Sequence, residues 1–280
     1  MSKPKRKSKI IYVVCMVLLI CIFVGCAIYL VKYFWESHES EEMFDELKTL
    51  IVEDDSSIDR GNEGKISSPS DSSYSEQKIE YIDIDGVMVS KKFGELYKRN
   101  KDFIGWLTIN DTCIDYPVMQ SMYEEEFYIH KDFDGQYSAA GTLFTDTSSY
   151  VDKPSDNILI YGHNMNSGKM FHSLINYEKE DFYKAHKFIQ FDTIYDNGIY
   201  EVIAAFRTQI YDAGYEGFKY YTFFDAKDET EFEEYISNCK ALTPYSIDAT
   251  ATYGDKLITL STCAYHTSDG RYVVVAKKIK

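Results

Sequence analysis

The sequence predicts a mainly β fold with peripheral helices, in which eight short strands form a closed or nearly closed β-barrel. From Ile104 onward, short runs rich in Val, Ile, Tyr, Phe and Thr recur, and each is bounded by Gly, Asp, Asn or Pro. Residues 170–177 and 228–239 instead carry apolar side chains at helical spacing, so they predict helices between strands. The predicted strands are 104–109, 113–118, 141–144, 157–161, 188–192, 198–207, 256–262 and 271–277.

The N-terminal region predicts a membrane anchor. Residues 1–9 form a basic tail, and residues 10–31 are an uncharged, almost wholly apolar run. A run of this length suffices to cross a bilayer, which takes about 20 residues in a helix. A signal peptide is the competing interpretation, but its apolar core is shorter and ends in a small-residue cleavage site, and no such site follows here. The basic tail predicts a cytoplasmic N-terminus and an exported remainder.

Residues 32–77 are expected to link this anchor to the folded domain. Met43, Phe44 and Leu47 recur at helical spacing and predict a short juxtamembrane helix over residues 36–52. Residues 53–77 are rich in Ser, Asp, Glu and Gly, and such a composition cannot bury enough apolar surface to fold. We therefore expect a flexible acidic spacer there, followed by an exported catalytic domain at residues 78–280 that opens with a helix over 90–100.

Charge and cysteine content narrow the function. The net charge of −15 argues against nucleic acid, because binding to phosphates depends on Lys and Arg. Of the six cysteines, Cys113, Cys239 and Cys263 lie beyond the predicted anchor. An odd number in an oxidising compartment leaves at least one thiol unpaired. Cys113 and Cys239 are interpreted as buried and inert.

Cys263 is the candidate nucleophile because of the strand that precedes it. Alternation along a strand places Thr259, Ser261 and Cys263 on one face, which suits a cleft lined with polar groups. Arg271 opens the next predicted strand. If the two strands form an antiparallel hairpin, Arg271 returns beside Cys263, where its guanidinium can donate to an oxyanion.

A cysteine nucleophile also needs a proton-transfer partner. His163 directly follows the apolar strand 157–161 in a Gly-His pair, which predicts an imidazole at the rim of the barrel. His266, three residues after Cys263, is the rival base, but its loop position favours the edge of a cleft. The chain has no C-x-x-C pair and no H-E-x-x-H motif, so we expect no zinc site and no cofactor.

These segments resemble one enzyme family. The run TLSTC at residues 259–263 resembles the T-L-x-T-C signature of sortases, and His163 upstream and Arg271 downstream complete that family's catalytic set in the same chain order. FIGWLTI at residues 103–109, IDYPV at 114–118 and GHNM at 162–165 are similar to class B sortases. The resemblance extends from about Phe93 to Lys277. It implies a sortase-type eight-stranded barrel with an N-terminal helix and a further helix between barrel strands 6 and 7.

The resemblance also implies a function. A membrane-anchored cysteine transpeptidase of a Gram-positive type cell envelope would cleave a C-terminal sorting motif (N-P-x-T-N or P-x-T-G) of surface proteins and transfer them to a peptidoglycan amine. Cys263 would be the nucleophile, His163 the proton-transfer group, Arg271 the oxyanion stabiliser, and Ser261 and Thr262 substrate contacts. Two alternatives stay open: an extracellular cysteine protease that only hydrolyses, and a non-enzymatic anchored surface protein.

Overall fold

The computed structural model describes residues 5–52 and 79–280, with the backbone alone at residues 5–10, 29, 30 and 32–40. The chain divides into two compact units, Met1–Met43 and Phe44–Lys280. Helix α1 (Lys5–Thr49) begins in the first unit and ends in the second. Within it, Ile11–Ile28 is long and apolar enough to cross a membrane, and these side chains are exposed. This helix fits either a membrane anchor or a signal segment.

The second unit starts with the last turns of α1. Phe44 and Leu47 are buried in the unit, and the ring of Phe44 packs edge-on against Tyr116 with 5.0 Å between ring centroids. The ammonium of Lys48 lies 3.0 Å from a carboxylate oxygen of Asp115. The compact second unit therefore includes the last turns of α1 from Phe44 on, because their apolar face belongs to its core; the predicted domain at residues 78–280 stays a prediction. The predicted spacer, 53–77, lies outside the described residues.

Leu47→Ala is expected to lower the free energy of unfolding by about 2–5 kcal/mol, the usual cost of emptying a fully buried leucine site. The measurement is urea unfolding of a soluble form that begins at Glu41. Asp45→Ala is the matched control, because the Asp45 side chain on the same turn is 76% exposed. An unchanged midpoint for Leu47→Ala would show that the end of α1 is not part of the folded unit.

A β-hairpin that the sequence analysis missed precedes the barrel. Strands β1 (Tyr81–Ile84) and β2 (Val87–Ser90) are antiparallel and pair over all four residues of each. Asp85 and Gly86 form the two-residue turn, and both have positive φ, at 57° and 86°. A single 3₁₀ turn (Lys91–Phe93) then leads into α2 (Gly94–Arg99), the helix expected before the barrel.

Eight strands close into a barrel, which confirms the predicted fold class. Around the barrel the order is β10-β8-β7-β3-β4-β5-β6-β9, and neighbouring strands are antiparallel except for the parallel pairs β4–β5 and β6–β9. In chain order the strands are β3 (Phe103–Thr108), β4 (Asp115–Met119), β5 (Leu143–Thr145), β6 (Asn157–Tyr161), β7 (Phe188–Thr193), β8 (Ile199–Gln209), β9 (Leu257–Cys263) and β10 (Gly270–Lys278).

Helices fill the longer connections. A 3₁₀ segment (Phe171–Glu178) and α3 (Glu180–Ala185) lie between β6 and β7. Helix α4 (Glu229–Leu242) lies between β8 and β9, the sixth and seventh barrel strands, as predicted. Asp228 caps α4 by accepting a hydrogen bond from the Glu231 backbone N–H at 3.0 Å. The apolar face of α4 is buried against β8, β9 and β10, so the helix covers one side of the barrel.

Candidate active site

Cys263 and Arg271 face each other across two neighbouring strands. Cys263 is the last residue of β9, Arg271 is the second residue of β10, and the antiparallel register pairs the two directly. The side chains are both half-buried, so each has a solvent-facing part. The structure thus places Cys263 and Arg271 on directly paired positions at one end of the barrel wall, as the predicted hairpin requires.

His163 reaches the same end of the barrel because β6 runs parallel to β9. The register aligns Tyr161 with Ser261, and the Gly162 N–H donates to the Ser261 carbonyl at 3.2 Å. His163 and Cys263 each lie two residues further on. Two parallel strands that end together therefore deliver the imidazole and the thiol to one edge, 100 residues apart in sequence.

Glycine at position 162 is required by packing. A Cβ atom there would lie 2.4 Å from Leu143 Cδ2 and 2.8 Å from the Phe171 ring. Neither neighbour is free to withdraw, since both are fully buried. The absence of a side chain lets the backbone before His163 lie against the barrel wall.

The His163 ring is oriented by the segment Phe127–His130. Its Nε2 lies 2.7 Å from the backbone oxygen of Ile129, and the ring stacks on His130 with centroids 5.2 Å apart. A carbonyl oxygen only accepts, so Nε2 carries the proton, and in the neutral ring Nδ1 is the nitrogen able to take one up. Burial lowers the pKa of His163 and the neighbouring His130 lowers it further, whereas the bond to Ile129 opposes both effects.

A second glycine, Gly141, packs against the carbonyl group that orients the His163 ring. Gly141 has φ of +61°, and a Cβ atom there would lie 2.4 Å from the same Ile129 oxygen that accepts from His163. Both the left-handed backbone and the close contact favour glycine at this position. The carbonyl that holds the imidazole is thus itself held in place by close packing.

Comparison with known proteins identifies the family. A family model described as the sortase domain matches residues 107–279. The chain belongs to the sortase family. It is 35% identical over 196 residues to sortase B of Listeria monocytogenes, covering 68% of this chain and 75% of that protein. It is also 32% identical over 194 residues to sortase B of Staphylococcus aureus, covering 69% of this chain and 76% of that protein.

A solved structure shares the architecture. Sortase B from Bacillus anthracis, in complex with AAEK1, superposes with a TM-score of 0.68 at 26% identity, covering 88% of this chain and 99% of that one. The protein is therefore a class B sortase, an enzyme of the cysteine transpeptidase type that acts on sorting signals. This membership rules out the alternative of a non-enzymatic surface protein.

The charge of Arg271 acts on the hydroxyl groups of two tyrosines. Burial raises the pKa of Tyr220 to about 12, while its hydrogen bond to Ser261 and the nearby Arg271 charge act in the opposite direction. Burial also raises the pKa of Tyr161, again opposed by the Arg271 charge. Arg271 uses one of its five N–H donors on the Gly270 carbonyl, at 3.1 Å. The positive charge of Arg271 is therefore felt by two buried or half-buried tyrosine hydroxyls near the end of β9.

Ser261 and Thr262, the two predicted substrate contacts, lie in the barrel wall. Their side chains are only 1% and 2% exposed. The Ser261 hydroxyl lies 2.7 Å from the hydroxyl of Tyr220, and the Thr262 hydroxyl donates to the Gly162 carbonyl at 2.7 Å. Two tyrosines from the β8–β9 connection cover the face of β9 that carries Thr259 and Ser261, whereas Cys263 at the strand end is half-buried.

The other candidate residues lie in different settings. Cys239 is fully buried, and burial raises the pKa of its thiol, which accords with an inert role. The Cys113 thiol lies 3.0 Å from the Ser173 hydroxyl. His266 is exposed in the β9–β10 loop. The sequence analysis missed His172, which bonds to Asn164 next to His163; the GHNM motif was the available signal.

The lowered pKa of His163 has a measurable consequence for stability. Between that lowered value and the ordinary value of about 6.5, the unfolded chain binds more protons at this position than the folded one, so stability falls as pH falls through this window. When the pH is lowered from 7.5 to 5.0, we expect the free energy of unfolding, measured with urea, to fall less for His163→Gln than for wild type. His186→Gln, remote from the site, is the control. Equal losses in wild type and His163→Gln would contradict the burial of His163.

Proposed function

We propose that this sortase cleaves exported surface proteins at a C-terminal sorting motif of the N-P-x-T-N or P-x-T-G kind and joins them to a peptidoglycan amine. The observation that carries this proposal is the direct opposition of Cys263 and Arg271 across β9 and β10, with His163 at the same edge. A nucleophile, a cationic donor for an oxyanion and a proton-transfer group are the parts that acyl transfer requires.

The first half of the reaction acylates the enzyme. The Cys263 thiolate attacks the carbonyl carbon of the motif's Thr, forming a C–S bond and an oxyanion that accepts hydrogen bonds from Arg271. The oxyanion collapses, the C–N bond to the next residue breaks, and the departing amine takes a proton from the imidazolium of His163. The product is a thioester on Cys263 and a released C-terminal fragment.

The second half releases the product. An amine of the cell-wall peptide attacks the thioester carbonyl and loses a proton to His163 Nδ1, the nitrogen left free by the bond to Ile129. The new C–N bond replaces the C–S bond, and the thiolate is regenerated. No step needs a cofactor. Ser261 and Thr262 support the reaction by fixing the end of β9 rather than by touching the substrate.

Mass spectrometry tests this chemistry. A soluble form beginning at Glu41 is mixed with N-P-x-T-N and P-x-T-G peptides, with and without short peptide amines. We expect an adduct on Cys263 with the mass of the acyl fragment, and a ligated product that appears only when the amine is present. Cleavage at the same rate whether or not amine is added, with no ligated product, would favour the hydrolytic protease instead.

The N-terminal helix is assigned a single-pass membrane topology in this proposal, with residues 1–9 cytoplasmic and the catalytic unit outside. The basic tail and the apolar window Ile11–Ile28 support it. Anchoring would raise the local concentration of enzyme near newly exported substrates. Protease added to intact cells should digest the catalytic unit and spare a tag placed before Lys3; loss of that tag would refute the orientation.

A further inference from the structure

Side chains continue the link between β6 and β9 beyond the point where their strand pairing ends. The last paired residues are Tyr161 and Ser261. One step further, the Thr262 hydroxyl donates to the Gly162 carbonyl at 2.7 Å. On the other side of His163, the amide of Asn164 donates through Nδ2 to the backbone carbonyl of Cys263 at 3.1 Å. The two stretches that carry the imidazole and the thiol are thus joined by hydrogen bonds from the residues on both sides of His163.

The orientation of the Asn164 amide is determined by its two hydrogen-bond partners. The Cys263 carbonyl only accepts, so the amide NH₂ of Asn164 must face it and the amide oxygen must point the other way. That oxygen lies 2.9 Å from Nδ1 of His172, which therefore carries a proton and donates. The result is a directed chain from His172 through Asn164 to the backbone of Cys263.

The backbone around Asn164 is shaped to form this chain. Asn164 pairs with Met170 in an antiparallel bridge, and the Phe171 N–H donates to the His163 carbonyl at 2.9 Å. Met170 is buried and has φ of +56°, a backbone conformation that is strained for a residue other than glycine. Such strain persists where the surroundings require it. Here it turns the chain back so that His172 meets the Asn164 amide.

We propose that Asn164 is a positioning residue for the nucleophile, and that His172 holds Asn164 in the donating orientation. Asn164 directly follows His163 in the chain, so its bond to the Cys263 carbonyl fixes the imidazole-bearing and thiol-bearing segments relative to each other. Displacements of about 1 Å in such geometry cost about 100-fold in rate. This inference rests on the proposed transpeptidase activity at Cys263.

Kinetics of four variants in the Glu41 form test the inference. Asn164→Ala is expected to lower kcat about 10- to 100-fold with little change in KM, because the geometry of the reacting groups is lost and not substrate binding. His172→Phe is expected to lower kcat about fivefold, the equivalent of one hydrogen bond. His172→Asn should recover most of that loss, since its amide N–H replaces Nδ1–H. Asn164→Asp keeps the acceptor toward His172 but loses the donor toward Cys263, so it should behave like Asn164→Ala.

His186 supplies the matched control. Its Nδ1 contacts a carbonyl oxygen too, that of Phe182 at 2.9 Å, but between α3 and β7 and away from the site. His186→Phe and His186→Asn should leave kcat at the wild-type value. Thermal unfolding of every variant identifies those that fail to fold; if Asn164→Ala fails, the His172 pair still decides. Equal kcat for His172→Phe and His172→Asn, or wild-type kcat in a folded Asn164→Ala, would overturn the inference.

Alkylation of Cys263 by iodoacetamide gives a readout that needs no peptide. In Asn164→Asp the new carboxylate faces the Cys263 backbone. Its negative charge disfavours the negatively charged thiolate, so the pH profile of alkylation should move to higher pH. An unmoved profile would count against the inference. If wild-type enzyme forms no thioester with any peptide while this profile still moves, the proposed function fails and the positioning contact stands.

Discussion

Cys263→Ala is expected to abolish the thioester and to lower turnover by at least about 10⁴-fold, the scale seen when a covalent nucleophile is removed. The neighbouring hydroxyls of Ser261 and Thr262 are buried and bonded inside the wall, so neither can substitute for the thiol. Intact-protein mass spectrometry with a reactive peptide measures the adduct, and a chromatographic assay measures the ligated product.

Cys113→Ala is the matched control for the thiol itself. Cys113 is the other half-buried cysteine of the catalytic unit, while Cys239 is enclosed by the core under α4. Removing Cys113 should leave the adduct and turnover intact. The Cys263→Ala protein should keep its melting temperature, because only a partly exposed sulfur is lost. An acyl adduct that persists in folded Cys263→Ala would place the nucleophile elsewhere.

The barrel could be predicted from sequence because its strands are short, apolar and bounded by turn residues. The observed β6 (Asn157–Tyr161) has the predicted limits, and α4 buries the predicted face with Phe232 and Tyr235. The hairpin Tyr81–Ser90 was missed although Asp85-Gly86 is a strong turn signal, because its strands are four residues long and poor in apolar alternation. The packing of Phe44 against Tyr116 was missed because the composition of the segment between Phe44 and the barrel indicates a flexible spacer.

The parts of the site that depend on residues close together in sequence could be predicted. The parts that depend on packing between residues far apart in sequence could not. Arg271 returns to Cys263 through a short turn, so a hairpin argument sufficed. The burial of Ser261 depends on Tyr220, 41 residues earlier in the chain, and strand alternation carries no information on what covers a face. The contact of His172 with Asn164 likewise depends on the reversed backbone at Met170, a conformation that no composition rule assigns to methionine.

Arg271→Ala is expected to lower kcat by about 10²–10³-fold, the usual cost of removing one oxyanion donor. Arg271 is paired with Cys263 across β9 and β10, and its charge also acts on the hydroxyls of Tyr161 and Tyr220. In the proposed mechanism this charge stabilises the negative charge that develops on the substrate carbonyl. Because this charge is absent from the uncleaved peptide, the loss should fall on kcat more than on KM. Steady-state kinetics with the reactive peptide and a peptide amine separates the two.

Arg271→Lys separates charge from geometry. A lysine keeps the positive charge but not the planar fork of donors, so its kcat should lie between those of wild type and Arg271→Ala. Arg207→Ala is the matched control, since Arg207 lies on the adjacent strand β8 and pairs with Glu178 on an exposed surface, where an ion pair contributes little. Wild-type kcat in folded Arg271→Ala would show that oxyanion stabilisation comes from other donors. Equal defects in Arg207→Ala and Arg271→Ala would mean that the loss reflects net charge and not the position opposite Cys263.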